Sequence, residues 1–346
     1  MHWQTRLRLL RARGQPAPAM TRITVVATVV GAAFVVATAV FATVRGPAIA
    51  NGRISGLAGA SGTGTAPSDG APATPTTAGP GPVGPAGSAS AAEGSPVGVT
   101  DTLVVDPTRP GTARGPLQGS DARALAVTIW YPARTDGHHA SPAAGVFPLV
   151  VFAHGFAASA QTYTPLLHDL AAAGFVVAVP EFPMSSTAYA GGPEEGDLPD
   201  QARDVAVVAR SLLDPAARPT GLPALDRSGY AAVGHSDGAV TVLGAGYSAC
   251  CADPAVKVVV ALSGALVGFD GPWFAGRLPP LLAVHGTDDD VNPFDSSRAV
   301  VARSPGRALL VGITGGGHLD TFVADATRPA VVGLVAGYVR DAFAAA

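Results

Sequence analysis

Gly234-His235-Ser236-Asp237-Gly238 is the stretch of this chain best suited to covalent chemistry. The apolar run Tyr230-Ala231-Ala232-Val233 precedes it, and small residues of helical character follow. A G-x-S-x-G sequence between a strand and a helix is the setting of a nucleophile elbow. Its serine stands on a sharp turn, and a side chain at either flanking glycine would collide with the adjoining strand or helix. The hydroxyl then emerges at the carboxyl edge of a sheet, where open α/β folds bind their ligands.

A nucleophilic serine needs a base, an orienting carboxylate and donors for an oxyanion. Of the eight histidines, His2, His138, His139 and His168 lie in the N-terminal segment, in a turn-rich loop or on a surface helix. His285 ends a strand before a glycine, a packing or hydrogen-bonding position. His154 and His235 point into supporting structure. His318 follows the last strand and Gly315-Gly316-Gly317, so its loop can bend toward Ser236, and it is the candidate base. The chain order Ser, Asp, His of such folds puts the acid in Asp288-Asp289-Asp290, after another strand. Asp289 is the candidate, with Asp288 and Asp290 shaping the turn. Three consecutive aspartates point in different directions and lack further spaced oxygen ligands, so no metal site is expected.

These residues need strands and helices to bring them together. Apolar runs predict strands over 124–131, 147–153, 175–179, 256–262, 281–285 and 308–313, besides the one leading into the elbow. Helical patterns fall at 164–173, 200–213, from the elbow to about 248, at 296–303 and at 327–343. Such alternation implies right-handed crossovers and a doubly wound, mostly parallel sheet with helices on both faces. The segment 183–199 is rich in Gly, Pro and Ser and reads as a rim or short lid. Trp273 and Phe274 are candidates for flanking an acyl group or for anchoring their loop.

The folded part is expected at 97–346. Residues 51–96 are mostly Gly, Ala, Pro, Ser and Thr and read as a flexible linker. Residues 1–50 carry six arginines and no carboxylate, with Ile23 to Val44 uncharged and apolar. That run is long enough to cross a bilayer, and Ala48-Ile49-Ala50 offers a cleavage site. Both a cleaved signal and an uncleaved membrane anchor would put the remainder outside the cytoplasm. None of the 25 acidic residues lies before Asp69, so the part after residue 50 carries a net charge of about −9. Nucleic acid is thereby excluded as a partner. Cys250 and Cys251 are adjacent, which leaves a small-ring bridge or two thiols open and suggests no catalytic role.

The domain resembles the α/β-hydrolase superfamily. His285, Gly286, Asp289 and Pro293 fit an H-G-x-x-D-x-x-x-P pattern around the acid, and this selects the middle aspartate. Asp106-Pro107-Thr108-Arg109-Pro110, Val127-Thr128-Ile129-Trp130-Tyr131-Pro132 and Gln201-Ala202-Arg203-Asp204-Val205 are similar to the dienelactone-hydrolase-like, chlorophyllase and platelet-activating-factor acetylhydrolase branch. The resemblance implies a serine esterase without metal or organic cofactor. His154-Gly155-Phe156 resembles the H-G-aromatic turn of many hydrolases, which assigns the Phe156 amide to the oxyanion hole beside that of Asp237. The expected activity is cleavage of a small-molecule or lipid-like carboxylic ester through an acyl-enzyme on Ser236. An amidase or peptidase on the same scaffold, and a non-catalytic surface binding module, are the alternatives.

Overall fold

The computed structural model describes residues 94–115, 118–194 and 196–345. The expected signal or anchor at 1–50 and most of the linker at 51–96 lie outside these. Among the described residues, no helix is long and apolar enough to cross a membrane.

Nine strands form one sheet in the order β3-β1-β2-β5-β4-β6-β7-β8-β9. β1 (Val97–Asp106) and β2 (Arg123–Pro132) form an antiparallel pair, and β2 pairs antiparallel with β5 (Val176–Pro180). The short β3 (Gly137–His138) adds to the outer side of β1. From β5 onward the ladder is parallel through β4 (Val146–Ala153), β6 (Ala224–His235), β7 (Val256–Leu262), β8 (Leu281–Gly286) and β9 (Ala308–Ile313). The expected α/β-hydrolase architecture, doubly wound and mostly parallel, is the one observed.

The parallel strands are continuous apolar runs because both of their faces are covered. In β4, Leu149, Val151 and Ala153 face one buried cluster while Val150 and Phe152 face the other. The first cluster is closed by α2 (Leu198–Leu213), α3 (Asp237–Tyr247) and α4 (Phe294–Arg303). The second is closed by α1 (Thr164–Ala172), the short α5 (Asp320–Val323) and α6 (Arg328–Ala344). α2 shows how the pattern works: Ala202, Val205, Val208, Ala209 and Leu212 are buried, and Arg203 and Arg210 face outward.

Besides the two-residue β3 and a 3-10 turn at Ala160–Tyr163, two longer-range features exceed the sequence expectation, β1 and α5. β1 escapes a periodicity reading because Asp101, Thr102 and exposed Leu103 interrupt its inward residues. α5 is one turn long, too short to leave a periodic signature.

Two of the stretches carrying the family resemblance, those around Arg109 and Asp204, meet in a buried ionic network. Arg109 Nη2 lies 2.6 Å from Asp204, and Arg109 Nε lies 2.6 Å from Asp106. Arg123 reaches Asp204 at 2.6 Å and Asp197 at 3.0 Å. Gln201, one turn after Asp197, accepts a hydrogen bond from Thr241 Oγ1 at 3.0 Å. The network thus joins the N-terminal strand pair to α2, and α2 to the helix that follows the serine.

Candidate active site

Ser236 occupies the junction between β6 and α3 with φ 57° and ψ −122°. A non-glycine residue in that region is strained and persists only when its surroundings hold it. Here they do. The Ser236 N–H donates to Leu262 O of β7 at 2.9 Å, and Ser236 O accepts from Ala239 N–H at 2.9 Å. A Cβ on Gly234 would sit 2.2 Å from Gly238 O, and one on Gly238 would sit 2.0 Å from Ala153 O. Both contacts are with backbone, which cannot step aside. Glycine is therefore required at both ends of the turn.

Three sequence candidates come together in one hydrogen-bonded line. Ser236 Oγ lies 2.9 Å from His318 Nε2, and His318 Nδ1 lies 2.8 Å from Asp289 Oδ2. Each residue follows the carboxyl end of a different strand: β6, β9 and β8. With Nδ1–H donated to the carboxylate, Nε2 is left to accept the serine proton.

Asp289 is held from every side. Its Oδ1 accepts the N–H groups of Val291 and Asn292 at 2.9 and 2.8 Å. Its Oδ2 faces His285 Nε2 at 3.1 Å as well as His318. Burial pushes this carboxyl upward, but hydrogen bonds from His285, His318 and the Asn292 amide outweigh it and hold Asp289 well below the usual carboxylate range. Asn292 Nδ2 also donates to Ser263 O at 2.8 Å, tying the acid loop to the end of β7. Among the described residues, Asp288, Asp289 and Asp290 are not part of any cluster placed to hold a metal ion.

The His154-Gly155-Phe156 turn packs directly on Ser236: a Cβ on Gly155 would stand 3.1 Å from Ser236 Cβ. The amides on either side of Phe156 hold the turn, Gly155 N–H on Tyr163 OH at 3.1 Å and Ala157 N–H on Ser185 O at 2.9 Å. His154 is fully buried and accepts Phe182 N–H at Nε2, 3.1 Å away. Burial pushes its pKa down, so it stays neutral. Asp237, whose amide is the other oxyanion candidate, is the first residue of α3.

The rim segment after Pro183 is a fixed strap. Ser186 pairs with Ala158, Thr187 N–H donates to Ala158 O, and Glu181 accepts from both Ala160 N–H and Ser186 Oγ. Buried Arg114 holds the strap from below through the carbonyls of Met184, Tyr189 and Ala190. Arg114, Glu181 and Tyr163 belong to no motif, so no sequence pattern marks their roles.

Trp273 and Phe274 do not flank the serine. The link from β7 to β8 runs along α3, with Phe269 lying over Gly244, Trp273 bridged to Ser248 and Phe274 N–H bonded to Tyr247 O at 2.8 Å. α3 starts beside Ser236 and ends at Tyr247, about 16 Å away at 1.5 Å per residue. The two aromatics anchor their loop at the far end. Cys250 and Cys251, just beyond that end, are bridged to one another rather than free.

Comparisons agree with this architecture. A ferulic acid esterase from Streptomyces cinnamoneus superposes with a TM-score of 0.54 at 21% identity, over 74% of this chain and 91% of that one. The chain has the α/β-hydrolase fold. Two structures of Thermogutta terrifontis esterase 2, phosphoramylated by tabun and phosphonylated by cyclosarin, align at TM-score 0.48 and 18% identity. They cover 63% of this chain and 90% and 89% of their own chains. Residues 139–272 match the chlorophyllase family model, which places the chain's likeness in the chlorophyllase-like branch. The matched stretch contains the His-Gly-Phe turn and the elbow and ends before Asp289 and His318. No curated protein matches the sequence.

Proposed function

We propose that this α/β-hydrolase cleaves carboxylic esters through an acyl-enzyme on Ser236. The observation that carries the reading is the unbroken line from Ser236 Oγ through both nitrogens of His318 to Asp289, at 2.9 and 2.8 Å. Ser236 Oγ attacks the ester carbonyl carbon as His318 Nε2 takes its proton. The resulting oxyanion sits against the amides of Phe156 and Asp237, where each donor contributes about 10²–10³ in kcat. Collapse expels the alkoxide, which receives the proton from His318. Water then attacks the acyl-enzyme by the same route and frees Ser236. Asp289 holds the imidazole in the Nδ1–H form and stabilises its cation.

The name of the ferulic acid esterase supports ester over amide substrates. Val291, exposed and two residues beyond the acid, gives the rim an apolar side chain for the acyl or alcohol group. The reading extends to export, supported by the six arginines of residues 1–50 and the apolar run of Ile23 to Val44. A reporter enzyme active only outside the cytoplasm, fused after residue 96, tests this; no reporter activity in a well-expressed fusion would refute it.

The decisive experiment treats purified protein with a fluorophosphonate and, in parallel, with p-nitrophenyl esters and the matching anilides. Labelling that maps to Ser236, disappears in Ser236→Ala and accompanies ester turnover is expected. A folded protein that neither labels nor turns over esters would overturn the proposal, and comparable anilide turnover would shift it to an amidase.

A further inference from the structure

Ser236 is preceded by a histidine that is only 2% exposed and stands apart from the proton-transfer line. His235 Nε2 lies 2.9 Å from the carbonyl oxygen of His318, and its Nδ1 lies 2.8 Å from Tyr163 OH. A carbonyl only accepts, so His235 Nε2 carries a hydrogen. Burial, with the neighbouring His318 adding to it, lowers the His235 pKa to about 3. The ring is therefore neutral, and Nδ1 presents a lone pair. Tyr163, whose hydroxyl is kept protonated by burial, must then donate to Nδ1. The same phenol oxygen accepts Gly155 N–H at 3.1 Å. Every donor and acceptor in this line has one possible direction.

We propose that Tyr163 and His235 are positioning residues forming a one-way hydrogen-bond relay from the oxyanion turn to the main chain of the base. This rests on the ester-hydrolase reading above. The relay runs from Gly155 N–H to Tyr163 O–H to His235 Nδ1, and from His235 Nε2–H to His318 O. One end sits a residue before Phe156, whose amide faces the developing charge. The other end fixes the backbone from which the His318 imidazole projects. The two halves of the site come from β4 and β9, which are not neighbours in the sheet. The relay joins them through the side chains of Tyr163 and His235.

The rings around the relay restrict its motion. Tyr163 packs on Phe152 with centroids 5.0 Å apart, and His235 packs on Phe322 at 5.0 Å and on His318 at 4.6 Å. A ring that cannot take up a proton is also the right neighbour for His318, which becomes a cation during turnover. A charged residue there would oppose that cation. Misplacing a reacting group by about 1 Å costs on the order of 10² in rate, so small slack in the relay is felt in kcat.

Tyr163→Phe is the discriminating variant, because it keeps the ring that packs on Phe152 and removes only the hydroxyl. Expected are a kcat lowered about 10- to 100-fold, a KM within about threefold of the parent, and fluorophosphonate labelling slowed in proportion to kcat. A folded Tyr163→Phe protein with kcat within about twofold of the parent would overturn the relay. The parent itself gives a second readout that needs no variant. Imidazole ¹⁵N spectra should show His235 protonated at Nε2, bare at Nδ1 and not titrating from about pH 4 to about pH 9. A Nδ1–H tautomer, or titration of His235 within that range, would overturn the relay even if the variant did not fold. Failure of the parent to turn over any ester would instead count against the hydrolase reading.

Discussion

The Asp289 carboxylate is held by His285 as well as by His318, with His285 Nε2 3.1 Å from Oδ2. His285 is fully buried, and its Nδ1 meets Ser297 Oγ at 2.7 Å. The acid therefore receives donors at both oxygens: two imidazoles at Oδ2, two backbone amides at Oδ1.

That arrangement makes Asp289→Asn severe. The two backbone N–H groups cannot change roles, so the amide oxygen must stay with them. The new NH2 then faces His318 and forces Nδ1 to become an acceptor, which puts the imidazole hydrogen on Nε2, against Ser236. We expect kcat to fall by on the order of 10⁴ with the fold retained, read from p-nitrophenyl ester turnover and circular dichroism. A loss below about tenfold would show that Asp289 does not set the tautomer.

Gly238→Ala should prevent stable folding. Its Cβ would lie 2.0 Å from Ala153 O, at the end of β4, and 2.6 Å from His154 O, in the His-Gly-Phe turn that follows. The cost is about 4 kcal/mol or more, in the range of severe core disruptions. Thermal unfolding of whatever protein is recovered measures it, and an unchanged Tm would contradict the tightness of the elbow.

Trp273→Ala should leave acyl-chain preference unchanged and lower stability by about 1–3 kcal/mol. Trp273 packs on Phe269 with ring centroids 5.3 Å apart, at the end of α3 remote from the serine. Profiling kcat/KM over esters of increasing chain length, beside a denaturant titration, separates the two effects. A changed chain-length optimum would return this residue to the substrate site.

Acid should weaken the fold before the ordinary carboxylate range is reached. His154 and His235 are held neutral, each with its pKa lowered first by burial. Below the unfolded imidazole value of about 6.5 the unfolded chain binds protons that the folded chain does not. Stability from these groups is therefore complete above about pH 6.5 and is lost as pH falls, for His235 down to its folded value of about 3. Each histidine contributes a slope of about 1.4 kcal/mol per pH unit inside its window. Urea midpoints between pH 7 and pH 4 check this, and a flat profile would mean that both rings take up protons in the folded protein as readily as in the unfolded chain.

The elbow, Asp289 and His318 were readable in sequence because glycine, serine, acid and base occur at strand ends in a fixed order. The strands from β4 to β9 were equally plain, since burial on both faces leaves unbroken apolar runs. β1 was hidden by its exposed edge position, where polar residues such as Asp101 are tolerated. Tyr163 was hidden for another reason. A tyrosine in a 3-10 turn looks like any core aromatic, and only the folded chain brings it to Gly155 and His235. Trp273 was misleading because its loop runs along a helix, and sequence distance from the serine says nothing of that direction.

Ser236 and His318 are 82 residues apart in the chain, and His318 follows β9, which ends the sheet. An edge strand is paired on one side only and is among the first elements to open in local fluctuations. Ser236 is half-buried at the end of β6, which is paired on both sides by β4 and β7, so it keeps its strained geometry while the edge frays. Turnover should thus cease at a milder dose of heat or denaturant than the collapse of helical signal. Activity reports on the rim of this molecule, and spectroscopy on its centre.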